Sequence, residues 1–324
     1  MINAAIVGVG RWGKTLVDAV QGSPRLRFVH GVSQEPDEVR EFAARHGFRL
    51  STDLKRVLAD PEVQAVFLAT PHSLHVEQVR AIAASGRAVW CEKPLALTRA
   101  EAARAVDACR AAGVVLASGN NKRCFASMQE LKRVVLAGEI GEVMHIEGHF
   151  SNEYSTHGPG GGWRYDPRES PGAGMTGAGL HVLDALINLG GPLRRVDARL
   201  LSKKAPPDPR DVVAGLVDFA SGATGMLATV RATPMYWRIS VFGSNGFAEA
   251  RDEDTLTVAK IGGQTTTQTF PHVDSLRVLA ESFADAIEGR APFLVSTTQM
   301  LDVIAGFEAV IASIDTGEPV KVSI

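Results

Sequence analysis

The sequence predicts an α/β protein: a doubly wound parallel sheet first, then an α+β part built on a large open, mainly antiparallel sheet. Three observations carry this expectation. A glycine-rich Gly8-x-Gly10-x-x-Gly13 stretch follows a short apolar run and opens a helical pattern. Apolar strand patterns then alternate with helical ones up to about residue 123, the rhythm of a parallel sheet with crossover helices. Beyond that point strand patterns succeed one another across short turns, as in an antiparallel sheet. At 324 residues the chain suffices for two domains, expected at 1–123 and 124–324.

Bulk properties narrow the function classes. A hydrophobic share of 45%, a charged share of 22% and a net charge of −2 describe a globular chain with no general pull toward nucleic acid or anionic lipid. Cys91, Cys109 and Cys124 show no metal spacing and read as reduced thiols. No signal-peptide pattern and no long unbroken apolar run is found, so a cytoplasmic protein without a membrane span is expected. No His/Cys/Asp cluster suggests a metal.

Taken in order, Ala4 to Val7 is the first strand and delivers the chain into the glycine loop. Gly8 makes the turn, Gly10 admits a pyrophosphate to the backbone, and Gly13 lets the following helix pack on the strand. That helix buries Leu16, Val17 and Val20, and its amino terminus, with Arg11 and Trp12, offers N–H groups to phosphate. Phe28 to Val32 is the second strand. It ends at Ser33 and Gln34, where an acid would grip an adenosine ribose. Ser33 leaves room for a 2′-phosphate that Arg11 or Arg40 would bind, whereas Glu35, Asp37 and Glu38 would repel one. NAD and NADP both stay open.

A helix from Glu38 to His46 closes at Gly47. Gln64 to Ala69 is a strand, and Thr70-Pro71-His72-Ser73-Leu74-His75 leads into a helix that ends at Gly86. The next strand, Arg87 to Cys91, runs into Glu92-Lys93-Pro94, where proline stops the ladder. This places Lys93 at the carboxyl end of a strand, the ligand side of an open α/β sheet. A plainer reading is a surface lysine paired with Glu92. Thr98-x-x-Glu101 is a capping box for a helix that stops at Gly113, and Val114 to Ala117 is a strand. Asn121, Lys122 and Arg123 follow it, again on the ligand side.

The second part begins with a helix over 129–137 and a strand from about Glu142 to Ser151. Glycine-rich segments at 158–162 and 170–174 read as loops around a site, and Leu180 to Leu189 as an apolar helix. Strands are expected near 194–202, 212–219, 224–231, 237–242, 246–250 and 255–260. Helices close the chain, one from Ser275 and one from the capping box Ser296-x-x-Gln299.

In this order, Gly8-x-Gly10-x-x-Gly13, Thr70-Pro71 with His75, Glu92-Lys93-Pro94, Trp163-Arg164 and Gly179-x-His181 resemble the glucose–fructose oxidoreductase / inositol dehydrogenase (Gfo/Idh/MocA) family over nearly the whole chain. The resemblance implies an NAD(P)-dependent oxidoreductase acting on a hydroxyl or carbonyl of a sugar, polyol or related small molecule. It implies that Lys93 contacts nicotinamide ribose and substrate, with a cis bond to Pro94. It also implies that Ala69, Thr70, Pro71 and His75 lie under the dinucleotide, and that the protein is a dimer or tetramer through its second sheet. The cofactor-binding set expected on these grounds is Gly8, Gly10, Arg11, Trp12, Gly13, Ser33, Gln34, Ala69, Thr70, Pro71, His75, Glu92, Lys93, Pro94, Arg123, Trp163 and Arg164. Lys93, Asn121, Tyr154, Trp163 and His181 are expected at the substrate.

One departure stands out: the family's second motif carries an Asp four residues before its His, and here that position is Gly177. Chemistry on two groups, substitution by another acid (Tyr154 and His157 are the candidates) and loss of dehydrogenase activity are the alternatives. Alcohol oxidation needs a proton acceptor and a partner for the developing alkoxide. His181, with an ordinary pKa of about 6.5, is read as the base and Lys93 as the electrostatic partner. The competing readings make His181 a structural histidine held by Asp184 and pair Arg164 with Asp166. His30, His46, His145, His149 and His272 read as structural. Two rivals to net dehydrogenation are kept: a bound NAD that cycles within each turnover, as in glycosidase- or epimerase-type members, and a non-catalytic dinucleotide sensor.

Overall fold

The computed structural model describes residues 1–153, 162–202, 211–231 and 233–323. In the first unit, β1 (Ile2–Val7), α1 (Arg11–Val20), β2 (Leu26–Val32), α2 (Arg40–His46), β3 (Arg49–Ser51), α3 (Leu54–Ala59), β4 (Ala65–Leu68), α4 (His75–Ala84), β5 (Ala88–Cys91), α5 (Arg99–Ala112) and β6 (Leu116–Ser118) follow in turn. The strands form one parallel sheet in the order β3-β2-β1-β4-β5-β6. The order reverses between β1 and β4, and there the carboxyl ends open a ligand crevice. Every residue of β4 and β5 is buried, the continuous apolar run of strands covered on both faces. Helix ends obey local signals. Thr98 Oγ1 accepts from Glu101 N–H at 3.3 Å, and Gly113 closes α5 in the left-handed region at φ 67°. β3 and α3 escape the sequence reading because three half-exposed residues and a six-residue helix carry too little periodicity.

The second unit contains α6 (Ala126–Leu136), β7 (Val143–Ser151), α7 (Leu180–Gly190), β8 (Leu193–Ser202), β9 (Asp211–Phe219), β10 (Thr224–Val230), β11 (Tyr236–Gly243), β12 (Gly246–Arg251), β13 (Thr255–Lys260) and β14 (Thr266–Thr269). After α8 (Ser275–Ile287), α9 (Thr297–Thr316) and β15 (Val320–Lys321) complete it. Its nine strands run β14-β13-β12-β11-β7-β10-β9-β8-β15. All neighbours are antiparallel except β7 and β10, so the long connection through α7 inserts β10 beside β7 rather than extending a meander. One face of the sheet is covered by α7, where a Cβ on Gly148 would lie 2.5 Å from the Val182 side chain. The other face shows Leu216, cross-strand partner of Met226, with 58% and 46% of their surfaces exposed.

The chain's first break falls within two residues of 123, but residues 274–300 group with the first unit. The units are Met1–Asn121 with Asp274–Met300, and Lys122–Val273 with Leu301–Ile324. α8 returns to the first unit because its stripe of Leu279, Ala280, Phe283 and Ala284 covers Phe67 and Trp90, with Phe283 edge-on to them at 5.6 and 5.9 Å. Arg25 pairs with Asp285 and Glu288, and Arg277 Nε donates to Ala19 O at 2.9 Å. Periodicity announces a helix but not which sheet it covers. Among the described residues α9 is long and apolar enough, by length and composition, to cross a membrane. Half of that stretch is buried, and Ser313 Oγ takes Ala198 N–H of β8 at 2.9 Å.

Candidate functional site

The first unit collects its motifs at the carboxyl ends of β1, β4 and β5. Gly8 sits at φ 89°, and a Cβ there would meet Ala69 O at 2.6 Å, so this turn needs glycine and Ala69 lies against it. A Cβ on Gly13 would be 2.0 Å from Gly8 O, which forces helix and loop together. A Cβ on Gly10 would meet nothing within 4 Å, and α1 starts there without a side-chain cap. Open space before uncapped amides of a ten-residue helix is what a dinucleotide pyrophosphate requires, so the loop fits that group. β2 ends at Ser33, whose Oγ accepts Glu35 N–H at 3.2 Å, while Gln34 donates to Thr52 O at 3.3 Å. Arg40 is paired with Asp37, and no acid stands at the first position after the strand.

Lys93 follows β5 directly, and its bond to Pro94 is cis, as the resemblance implied. His75 is fully buried, with its ring nitrogens 2.8 Å from Pro94 O and 3.1 Å from Thr70 O. It braces the 69–71 loop against the Lys93-Pro94 bend. Glu92 is internal as well. It is 5% exposed, accepts Trp90 Nε1–H at 3.1 Å, and fills the space over Gly119, where a Cβ would come within 2.5 Å of its oxygens. Burial pushes its carboxyl above the ordinary value, and the Trp90 hydrogen bond opposes that rise. Glu92 is therefore no surface residue, and the neighbouring Lys93 charge still favours its ionised form. Asn121 is also internal, its amide donating to Ser275 Oγ at 2.9 Å and anchoring α8 rather than facing a ligand.

In the second unit, His181 is 6% exposed and lies in the first turn of α7, directly after a π-helical turn at Met175–Gly179. Such turns concentrate at functional sites. The turn is fixed from outside: Asp211, 1% exposed, accepts Gly174 N–H at 3.2 Å and pairs with Arg231. A Cβ on Gly177 would meet nothing within 4 Å, so packing does not exclude a side chain there. Asp184 does not hold His181. Its carboxylate takes Arg123 Nε at 2.9 Å and Nη2 at 2.6 Å, and Arg123 Nη1 reaches Asn188 Oδ1 at 3.1 Å. Arg123 thus ties the lead-in of α6 to α7. Arg164 stacks over Trp163 at 4.2 Å, and Asp166 pairs with Arg168 rather than Arg164. Tyr154 and His157 lie outside the described residues. Cys91, Cys109 and Cys124 are free and buried, and burial pushes the last two thiols up to about 12.

Sequence reasoning put Lys122 on the ligand side with Asn121 and Arg123 but did not single it out. Its amine lies 4.3 Å from the Phe125 ring centre and 5.1 Å from that of Phe150, and Phe150 is edge-on to His181 at 5.8 Å. Burial lowers its pKa to about 8, with Glu253 opposing. A single lysine between Asn121 and Arg123 carries no sign of such a cage in sequence.

Comparison with known proteins bears on both halves. Residues 2–120 match the family described as "Oxidoreductase family, NAD-binding Rossmann fold", and residues 128–249 match the "GFO/IDH/MocA C-terminal domain". The chain belongs to the Gfo/Idh/MocA family of oxidoreductases. It is 29% identical, over 99% of its length and 98% of the other, to D-xylose 1-dehydrogenase (NADP(+)) 2 of Haloferax volcanii. Identity is 27% to levoglucosan dehydrogenase of Pseudarthrobacter phenanthrenivorans, over 83% of this chain and 79% of that one. Among solved structures, levoglucosan dehydrogenase in complex with NADH and levoglucosan superposes with a TM-score of 0.90 at 23% identity, covering 100% of both chains. GenD2 from gentamicin A biosynthesis, in complex with NAD, gives 0.86 at 25% identity over 100% of this chain and 97% of that one.

Proposed function

We propose that the protein is an NAD(P)-dependent dehydrogenase or reductase that moves hydride between nicotinamide and a hydroxyl or carbonyl of a sugar, polyol or related small polar molecule. The observation that carries this reading is the gathering of Gly8–Gly13, Ala69–Pro71 and Lys93 on one edge of one parallel sheet. The names of the relatives support the substrate class, since they act on xylose and levoglucosan. A bound nicotinamide supplies the hydride acceptor. Gly8, Gly10, Arg11, Trp12 and Gly13 hold its phosphates, Ser33 and Gln34 bound its adenosine ribose, and Ala69, Thr70 and Pro71 lie beside it. Lys93 stabilises the alkoxide and His181 takes the hydroxyl proton. Ser33 in place of an acid admits both NAD and NADP.

The test is a panel of sugars and polyols assayed at 340 nm with both cofactors. Lys93→Ala and His181→Ala are each expected to lower kcat by roughly 10²–10⁴-fold with the fold retained by circular dichroism. Near-normal turnover in either variant removes its residue from the mechanism. Product without net absorbance change points instead to a cofactor that cycles within each turnover. The exposed Leu216–Met226 face supports a homodimer or homotetramer through the second sheet. The reading takes the protein as cytoplasmic, with no membrane or nucleic-acid partner.

A further inference from the structure

Two polar groups on the inner side of the nine-stranded sheet are buried with no hydrogen-bond partner among the described residues. Trp237 pairs with Phe150 across β11 and β7, is 1% exposed, and leaves its indole N–H without an acceptor. On the other side of Phe150 stands Thr229, since Ala228 pairs with His149 and Val230 N–H donates to Ser151 Oγ; its buried hydroxyl is likewise unmatched. Beside them the half-buried Lys122 lays its amine over the faces of Phe125 and Phe150. Phe125 and Phe150 each contact Trp237 at 5.7 Å, and Phe150 contacts His181 at 5.8 Å. The lead-in of α6, β7, β10, β11 and α7 thus bring three aromatic rings, an imidazole, an amine, an indole N–H and a hydroxyl into one cluster.

A buried donor without an acceptor costs free energy, and a buried cation costs more. Aromatic faces offset part of that cost for an ammonium but supply no oxygen. Structural roles do not explain an indole and a hydroxyl left unmatched on either side of Phe150, with an amine over that ring. A ligand rich in oxygen, with an apolar ring face to lie on Phe150, would satisfy all three; a pyranose or cyclic polyol has that chemistry. The resemblance to the family motifs did not single out Lys122 or Trp237.

We propose that Lys122 and Trp237 form, with His181, the substrate-binding cluster of the second unit, donating to oxygens of a polyhydroxylated substrate, and that Lys122 is its specificity-determining cation. This rests on the dehydrogenase reading above. Lys122 is a binding residue here, so its loss acts on KM before kcat. Its amine is protonated below a pKa of about 8 and neutral above it, and Glu253 is the charged group that raises that value. Affinity conferred by the cation is therefore present below pH 8 and lost as pH rises through it.

The test uses the whole protein with the best sugar or polyol from the panel. Lys122→Met is expected to raise KM about tenfold to a hundredfold, more than it lowers kcat, as loss of a charged hydrogen bond does. Trp237→Phe is expected to raise it about threefold to tenfold. In the wild type KM should climb above pH 8, whereas Lys122→Arg should restore binding and abolish the climb, because arginine stays charged. Removing a cation that burial disfavours should leave the melting temperature of Lys122→Met equal or higher. An unchanged KM in Lys122→Met, or a loss of kcat and melting temperature together, overturns this proposal while leaving the dehydrogenase standing. A wild-type protein that binds NAD(P)H but turns over nothing in the panel overturns both.

Discussion

In the first unit the groups that matter lie within short stretches, Gly8–Gly13, Ala69–Pro71 and Glu92–Pro94, each placed by the strand just before it. In the second unit the corresponding groups come from the lead-in of α6, from β7, β10 and β11, and from the first turn of α7. Parallel strands deliver their following loops to one sheet edge whatever the loops contain, so position in sequence fixes position in space. An antiparallel sheet offers no such edge. Which side chains meet depends on register, and here on the insertion of β10 beside β7. A nucleotide site can therefore be written in local motifs, while a substrate pocket cannot.

That difference can be broken by mutation. The largest effect on stability is expected at Arg123, since Arg123→Met strands the Asp184 carboxylate, with both side chains only 2% exposed in the wild type. About 3–5 kcal/mol of stability should disappear. Because this pair is internal to the second unit, dinucleotide binding measured by fluorescence at low temperature should survive. Loss of binding in parallel with unfolding would mean that the units are not energetically separate. Next comes a contrast inside the glycine loop. Gly13→Ala must displace Gly8 O and should cost about 3 kcal/mol. Gly10→Ala meets no atom, so it should keep its melting temperature and weaken dinucleotide binding alone. Equal effects of the two on melting would refute the assignment of one glycine to packing and the other to phosphate.

The smallest effect concerns Glu92. Burial raises its folded pKa above the ordinary 4.5, so the native state holds a proton that the unfolded chain has released. Stability supplied by this group is complete below pH 4.5 and is lost as pH rises through the higher folded value. Glu92→Gln should flatten that decline in a series of melting temperatures against pH. An unchanged slope would show that the carboxyl is already ionised in the fold.

Much of the first unit was legible. The turn at Gly8, the capping box at Thr98 and the cis bond before Pro94 stand where the residues or the resemblance put them. What was not legible is where the residues beside the motifs find partners. His75, Glu92, Asn121 and Arg123 each reach one far along the chain: Pro94 O, Gly119, Ser275 and Asp184. Gly177 was readable as a departure. That a π-helical turn carries it, with open space at its Cβ, was not.

By itself the sequence determined the alternation of strands and helices, the nucleotide loop, and a lysine at the end of a parallel strand. These depend on interactions over a few residues: periodic burial, capping, the backbone freedom of glycine and the missing N–H of proline. Only the tertiary structure decided that α8 covers the first sheet, that Asp184 belongs to Arg123, and that Lys122, Trp237 and Thr229 gather around Phe150. Those outcomes are settled by which buried surfaces and charges find complements across dozens of residues, and no local pattern encodes that choice.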